Sequence, residues 1–106
     1  MFYEFRQYTI AEGRRDEWVE LMEKVIIPFQ VSCGMVVLGS FVDEEQPDIY
    51  YWMRRFNDEA ERERLYAAVY DSETWRNEIA PKTGEMLKRE MIVVKRIVPT
   101  SRSVVQ

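Results

Sequence analysis

Residues 49–64 read IYYWMRRFNDEAERER, an aromatic and apolar run that gives way within two residues to a charged one. Ile49 to Phe56 is dense in the ring-bearing residues that suit a pleated, half-buried surface, and so predicts a strand. Asp58 followed three residues later by Glu61 has the spacing of a capping box, which predicts a helix start. The stretch is therefore a strand feeding a helix through a short joint. Strand parity places Tyr50, Trp52, Arg54 and Phe56 on one face and Tyr51, Met53 and Arg55 on the other.

Upstream, Met1 to Ile10 predicts a first strand, with Tyr3, Phe5, Gln7 and Thr9 on one face and Phe2, Glu4, Arg6, Tyr8 and Ile10 on the other. Glu12-Gly13 breaks it. Trp18, Leu21, Met22, Val25 and Phe29 recur at steps of three and four, the core stripe of an amphipathic helix. Pro28 is expected to end or kink that helix near Ile27. Met35 to Val42, apolar on both faces, predicts a second strand, with Gly39 a candidate bulge. The polar loop Asp43 to Asp48 has hairpin length, which makes strands two and three antiparallel neighbours.

Downstream, Leu65, Tyr66, Val69 and Tyr70 form the buried side of the second helix, and Asp71-Ser72 interrupts it. Trp75 and Ile79 form an apolar i,i+4 pair on a further short helix. Pro81 and Gly84 are expected to loosen the chain before a last strand from Met91 to Val98. The reading is one domain over residues 1–98 and a tail over 99–106 that frays or lies on a partner.

Composition narrows the chemistry. Among 106 residues there is no histidine, which removes the commonest general base, the commonest transition-metal ligand and the usual proximal haem ligand. Tyrosine ligation of haem stays formally open, but no metal-ligand spacing and no glycine-rich strand-to-helix turn is present, so no metal or other cofactor is expected. Cys33 is the only cysteine and has no base to activate it. A net charge of −4 without clustered basic residues speaks against nucleic acid. No apolar run approaches the roughly 18 residues of a membrane span. The N-terminus lacks the pattern of a signal peptide, and a cytoplasmic location is expected.

The order strand, helix, strand, strand, helix, strand predicts an α+β, ferredoxin-like βαββαβ fold with a four-stranded antiparallel sheet. Its helices can cover only one face, yet strands two and four are apolar on both. An exposed face of that kind exceeds what soluble monomers normally show, and a second copy of the chain is the commonest cover. Two such sheets face to face make a dimeric α/β barrel. The chain also resembles the NIPSNAP family in its central Arg55, Phe56, Asp58, Ala60, Glu61 and Arg62, in the opening Glu4-Phe5-Arg6 with Tyr8-Thr9-Ile10, and in Gly13, Pro28 and Trp75. The resemblance implies the same dimeric architecture.

The candidate ligand-binding residues are Tyr8, Tyr50, Trp52 and Arg54; none is singled out as catalytic. An arginine on an aromatic sheet face must be paired or must face a ligand, because burying it alone costs several kcal/mol. Either Glu4 or Glu90 pairs with Arg54, or Arg54 awaits an anion. The family resemblance implies three possible functions, among which the fold does not choose: a homodimer binding a small aromatic or anionic molecule between sheet and helices, a cofactor-independent monooxygenase or isomerase as in other dimeric α/β barrels, and a structural interaction dimer. A cavity of roughly 300 Å³ or more would favour binding or catalysis, and a filled space the structural dimer.

Overall fold

A computed structural model describes residues 1–106. The strands are β1 (Phe2–Thr9), β2 (Val36–Val42), β3 (Ile49–Phe56) and β4 (Val93–Ile97). They form one antiparallel sheet in the order β2-β3-β1-β4, as the ferredoxin-like reading requires. Helical segments α1 (Arg15–Leu21), α2 (Ile27–Ser32), α3 (Glu59–Tyr70) and α4 (Ala80–Met86) join the strands. No helix is long and apolar enough to cross a membrane.

Two helical expectations need correction. The first helix does not stop at Pro28, because a π-turn over Met22–Ile26 precedes it and the Ile27 N–H reaches back five residues to the Met22 carbonyl. Widening the turn ahead of the proline lets the chain run on as α2, with Pro28 in its first turn where no N–H donor is needed. Pro81 and Gly84 likewise do not loosen the chain; they lie inside α4, and a second π-turn, Trp75–Ile79, precedes Pro81 in the same way. The last strand is shorter than expected, since Arg89–Met91 forms a 3₁₀ turn.

Register decides which side chains meet. β1 and β3 pair Phe2 with Phe56, Glu4 with Arg54, Arg6 with Trp52 and Tyr8 with Tyr50, so all of these share the helix-covered face. Burial along β3 alternates as parity predicts, with Tyr50, Trp52, Arg54 and Phe56 buried and Tyr51, Met53 and Arg55 half-exposed. β2 carries a bulge between Val37 and Gly39, where a Cβ would run into the Phe41 ring. The buried apolar side chains fall into two clusters, one around Tyr8, Trp18, Tyr50 and Trp52 and the other around Phe2, Met35, Phe56, Leu65 and Val69. On β3, Arg54 lies between them.

The joint from β3 to α3 is capped as the spacing predicts. Asp58 Oδ1 accepts the Glu61 N–H at 2.7 Å, and Glu61 Oε1 accepts the Asn57 N–H at 3.1 Å, one residue earlier than the usual reciprocal bond. Asp58→Ala should cost about 1 kcal/mol in denaturant unfolding, whereas Asp58→Ser, which keeps an acceptor, should be nearly silent. Equal losses in the two variants would show that the carboxylate charge, and not the cap, matters.

Candidate functional site between sheet and helices

The centre of the helix-covered face is a buried cation. Arg54 is 0% exposed and uses all four of its terminal N–H donors. Nη1 donates to Gln30 Oε1 at 2.9 Å and to the Tyr70 hydroxyl at 2.8 Å. Nη2 donates to Glu4 Oε1 at 3.0 Å and to the Tyr66 hydroxyl at 2.7 Å. The guanidinium also lies 4.5 Å from the Trp52 ring centroid, where the π-face adds to its stabilisation. Of the two carboxylates considered from the sequence, Glu4 is the partner and Glu90 is exposed on the 3₁₀ turn.

Each element delivers its share for a local reason. Glu4 faces Arg54 because their strands pair in that register. Arg62, Tyr66 and Tyr70 follow at steps of four along α3 and so form one ridge. Arg62 Nε reaches the second Glu4 oxygen at 2.7 Å, and the Tyr66 hydroxyl donates to the first at 2.5 Å. Gln30 arrives from α2, the segment that exists only because the helix continues past Pro28.

The electrostatics follow from this packing. Burial raises the Glu4 carboxyl, but hydrogen bonds from Tyr66 and Arg62 and the charge of Arg54 overcome it and hold Glu4 below its ordinary range. Burial also pushes the Tyr66 phenol up to about 12, with the hydrogen bond to Glu4 acting in the same direction. Arg54 remains a cation, since burial is outweighed by the tyrosines and Glu4 around it.

Beside this network lies a cavity of about 180 Å³ between the sheet and the helices. That is below the range typical of drug-sized ligands and slightly above the roughly 150 Å³ that holds benzene, so it suits a single ring. Trp18, Trp52, Tyr66, Tyr70 and Trp75 supply aromatic walls, Tyr8 contributes a phenol, and Arg6 and Arg89 are the only charged lining residues. The indole N–H groups of Trp18 and Trp52 and the Nε–H of Arg6 are buried without a partner. The surroundings are thus rich in donors and hold no carboxylate.

Of the residues singled out from the sequence, Tyr8 and Trp52 line this cavity. Tyr50 sits behind it, fully buried, with its hydroxyl 2.5 Å from Ser40 Oγ, and burial pushes that phenol up to about 12. Arg54 also sits behind the wall, engaged with the network. Sequence parity puts Arg6 beside Glu4 and Tyr8 on this face, but Gln30 and Trp75 were missed as members. Sequence reasoning took Tyr66 and Tyr70 as core alone, although their spacing from Arg62 marked a polar ridge.

Removing Arg54 should cost stability. Arg54→Met leaves Glu4 with Arg62 as its only counter-charge and strands the Gln30 oxygen, and unfolding should show a loss near the lower end of the roughly 3–5 kcal/mol seen for broken buried pairs. An unchanged or raised melting temperature would contradict the strut. The pH dependence has two arms. Glu4 contributes stability that is full above its unfolded value of about 4.3 and lost as pH falls through its lower folded value. The Tyr66 contribution is full below about pH 10 and lost as pH rises toward about 12. Glu4→Gln should reduce the acid arm of a melting profile, and Tyr66→Phe the alkaline arm, which Tyr50 shares.

Comparison with known proteins sets this geometry in a family. The chain is similar to a NIPSNAP family protein of Agrobacterium tumefaciens strain C58, with 19% identity, 99% of this chain and 98% of that one covered, and a TM-score of 0.88. A second Agrobacterium tumefaciens NIPSNAP protein, described as of unknown function, shows 22% identity, coverage of 100% and 94%, and a TM-score of 0.89. More distantly, an antibiotic biosynthesis monooxygenase shares the fold at 18% identity, with 93% and 100% of the chains covered and a TM-score of 0.63. No curated protein matches the chain. The NIPSNAP family profile spans residues 3–102, nearly the whole chain, and the protein therefore belongs to the NIPSNAP family.

Proposed function

We propose that this NIPSNAP-family chain acts as a homodimer that binds a small aromatic anion in the cavity between sheet and helices. The observation that carries the reading is the lining: aromatic walls with two arginines and no acid, in a chain whose net charge is −4. A merely packed core has no need of such a charge balance. Tyr8 and Trp52 contact the ligand in this reading, and Tyr50 and Arg54 hold the wall behind them. A monooxygenase reading draws support from the fold shared with the antibiotic biosynthesis monooxygenase. Binding is preferred because no carboxylate or thiol lines the cavity to serve as a general base.

The dimer follows from the uncovered sheet face. Phe41 is 52% exposed and Val93 42% exposed, and both lie on the face opposite Arg54 by register, together with Phe5, Tyr51 and Ile97. Phe5 and Tyr51 stack at 5.8 Å there. Gln7, Arg55 and Lys95 interrupt this face, but an open sheet face so rich in apolar side chains calls for a partner, and a second copy offers the same face in return. Val37, by contrast, packs against the helix-side core.

Light scattering after size exclusion at low micromolar concentration should give twice the chain mass. Val93→Lys should yield a folded monomer, and Val37→Lys should unfold the chain because it buries a charge in the core. A folded wild-type monomer would end the dimer proposal. For the ligand, benzoate should raise the melting temperature in proportion to the logarithm of its concentration. Two-ring carboxylates, too large for the cavity, should not. Arg6→Met should abolish the benzoate shift; a shift that survives it, or that two-ring acids share, would place binding elsewhere.

A further inference from the structure

The tyrosines around the cavity are of two kinds, those whose hydroxyl hydrogen is taken by the protein and those whose hydrogen is spare. Tyr66 is fully engaged: its oxygen accepts from Arg54 at 2.7 Å and from Arg6 at 3.3 Å, and its hydrogen goes to Glu4 at 2.5 Å. Tyr70 accepts from Arg54 Nη1 at 2.8 Å and from Gln30 Nε2 at 3.3 Å, but no protein acceptor takes its hydrogen. With both lone pairs occupied by donors, one of them cationic, Tyr70 can only donate, and Arg54 polarises the O–H it donates with. Tyr8 is 6% exposed and lines the same cavity, and the one group beside its hydroxyl, the Trp52 indole N–H, can only donate, so no protein acceptor takes the Tyr8 hydrogen either. A phenol buried to that degree normally finds one.

The two spare hydroxyls come from opposite layers, Tyr8 from β1 and Tyr70 from α3, into a space about one ring across. Burial raises the Tyr8 phenol, with Tyr70 adding to the effect and Arg6 opposing it, so Tyr8 stays protonated and able to donate at neutral pH. No residue of the lining offers a carboxylate to receive either hydrogen. A preorganised pair of donors in a low-dielectric site is what a localised negative oxygen needs, because the donors need not reorganise to meet it.

We infer that the Tyr8 and Tyr70 hydroxyls jointly receive one anionic oxygen of the ligand, which makes that ligand a single-ring phenolate or enolate. This rests on the binding role proposed above for the same cavity and narrows it from aromatic anions in general to those whose charge sits on one oxygen. Arg54 acts here through Tyr70 and is a positioning residue. Trp75, at 4.8 Å and edge-on to the Tyr70 ring, fixes the phenol's orientation from the other side.

The probe is 4-nitrophenol, whose ionisation is read from its own absorbance, with nitrobenzene as the isosteric compound that lacks the hydroxyl. Bound to the protein, 4-nitrophenol should ionise at a lower pH than in buffer, and its phenolate should bind at least roughly tenfold more tightly than nitrobenzene, the value of one charge-assisted hydrogen bond. Tyr8→Phe, which strands no acceptor within the protein, should reverse the ionisation shift and weaken phenolate binding by roughly tenfold while leaving nitrobenzene binding unchanged. Tyr70→Phe should do the same, with its melting temperature recorded because Arg54 and Gln30 lose an acceptor. Binding of both compounds with an ionisation shift untouched by Tyr8→Phe, or lost only in Arg6→Met, would overturn the hydroxyl pair and leave the cavity reading standing. Failure of both compounds to bind would overturn the cavity reading and this inference together.

Discussion

A guanidinium buried at the centre of the sheet, with Glu4 as its counter-ion, is the constraint to which the rest of the molecule answers. A lone buried charge of this kind is untenable, and a pair alone leaves donors unused. Arg54 therefore draws a partner from each neighbouring element: Glu4 from β1, Gln30 from α2, and Tyr66 and Tyr70 from α3. The register of β1 on β3, the continuation of the first helix past Pro28 and the rotation of α3 about its axis are all conditions for that set. A shift of one residue in the β1–β3 register would put Glu4 on the opposite face from Arg54.

The same constraint explains the cavity. Side chains committed to Arg54 are held back from filling the adjacent space, and the two buried apolar clusters lie on either side of the network, with Phe29 and Trp75 packing against both. The aromatic walls gain orientation from edge contacts, such as Tyr8 on Trp18 at 5.9 Å and Tyr70 on Trp75 at 4.8 Å. In the binding role proposed above, these fixed walls and the excess of donors are what would preorganise the space for an oxygen-bearing ring. On the reverse face, the sheet has no helix and keeps Phe41, Val93 and Ile97 in the open.

Much of the fold was legible in the sequence because its signals are local. The residue types of Ile49–Phe56 set the strand and its parity, the Asp58–Glu61 spacing set the cap, and Gly39 marked the bulge. Proline was read too simply. The rule for an ideal α-helix has Pro28 end or kink it and Pro81 loosen the chain, whereas the π-turns ahead of both let the chain continue as helix. That error hid Gln30. The candidate site was half legible: parity found Tyr8, Trp52 and Arg54 on one face, but which of them line open space depends on how hydroxyls and donors pair across layers, and no spacing along one strand encodes that.

The direct test of this account is a double-mutant cycle on Glu4→Gln and Arg54→Met, read by denaturant unfolding. If the buried pair organises the sheet face, the two substitutions should be strongly non-additive, with a coupling in the upper part of the roughly 0.5–3 kcal/mol range for interacting residues. Arg62 stays bonded to residue 4 in every arm and cancels to first order. Losses that simply add, with a coupling near zero, would mean that Arg54 and Glu4 are held by their surroundings independently and that the network does not organise the fold.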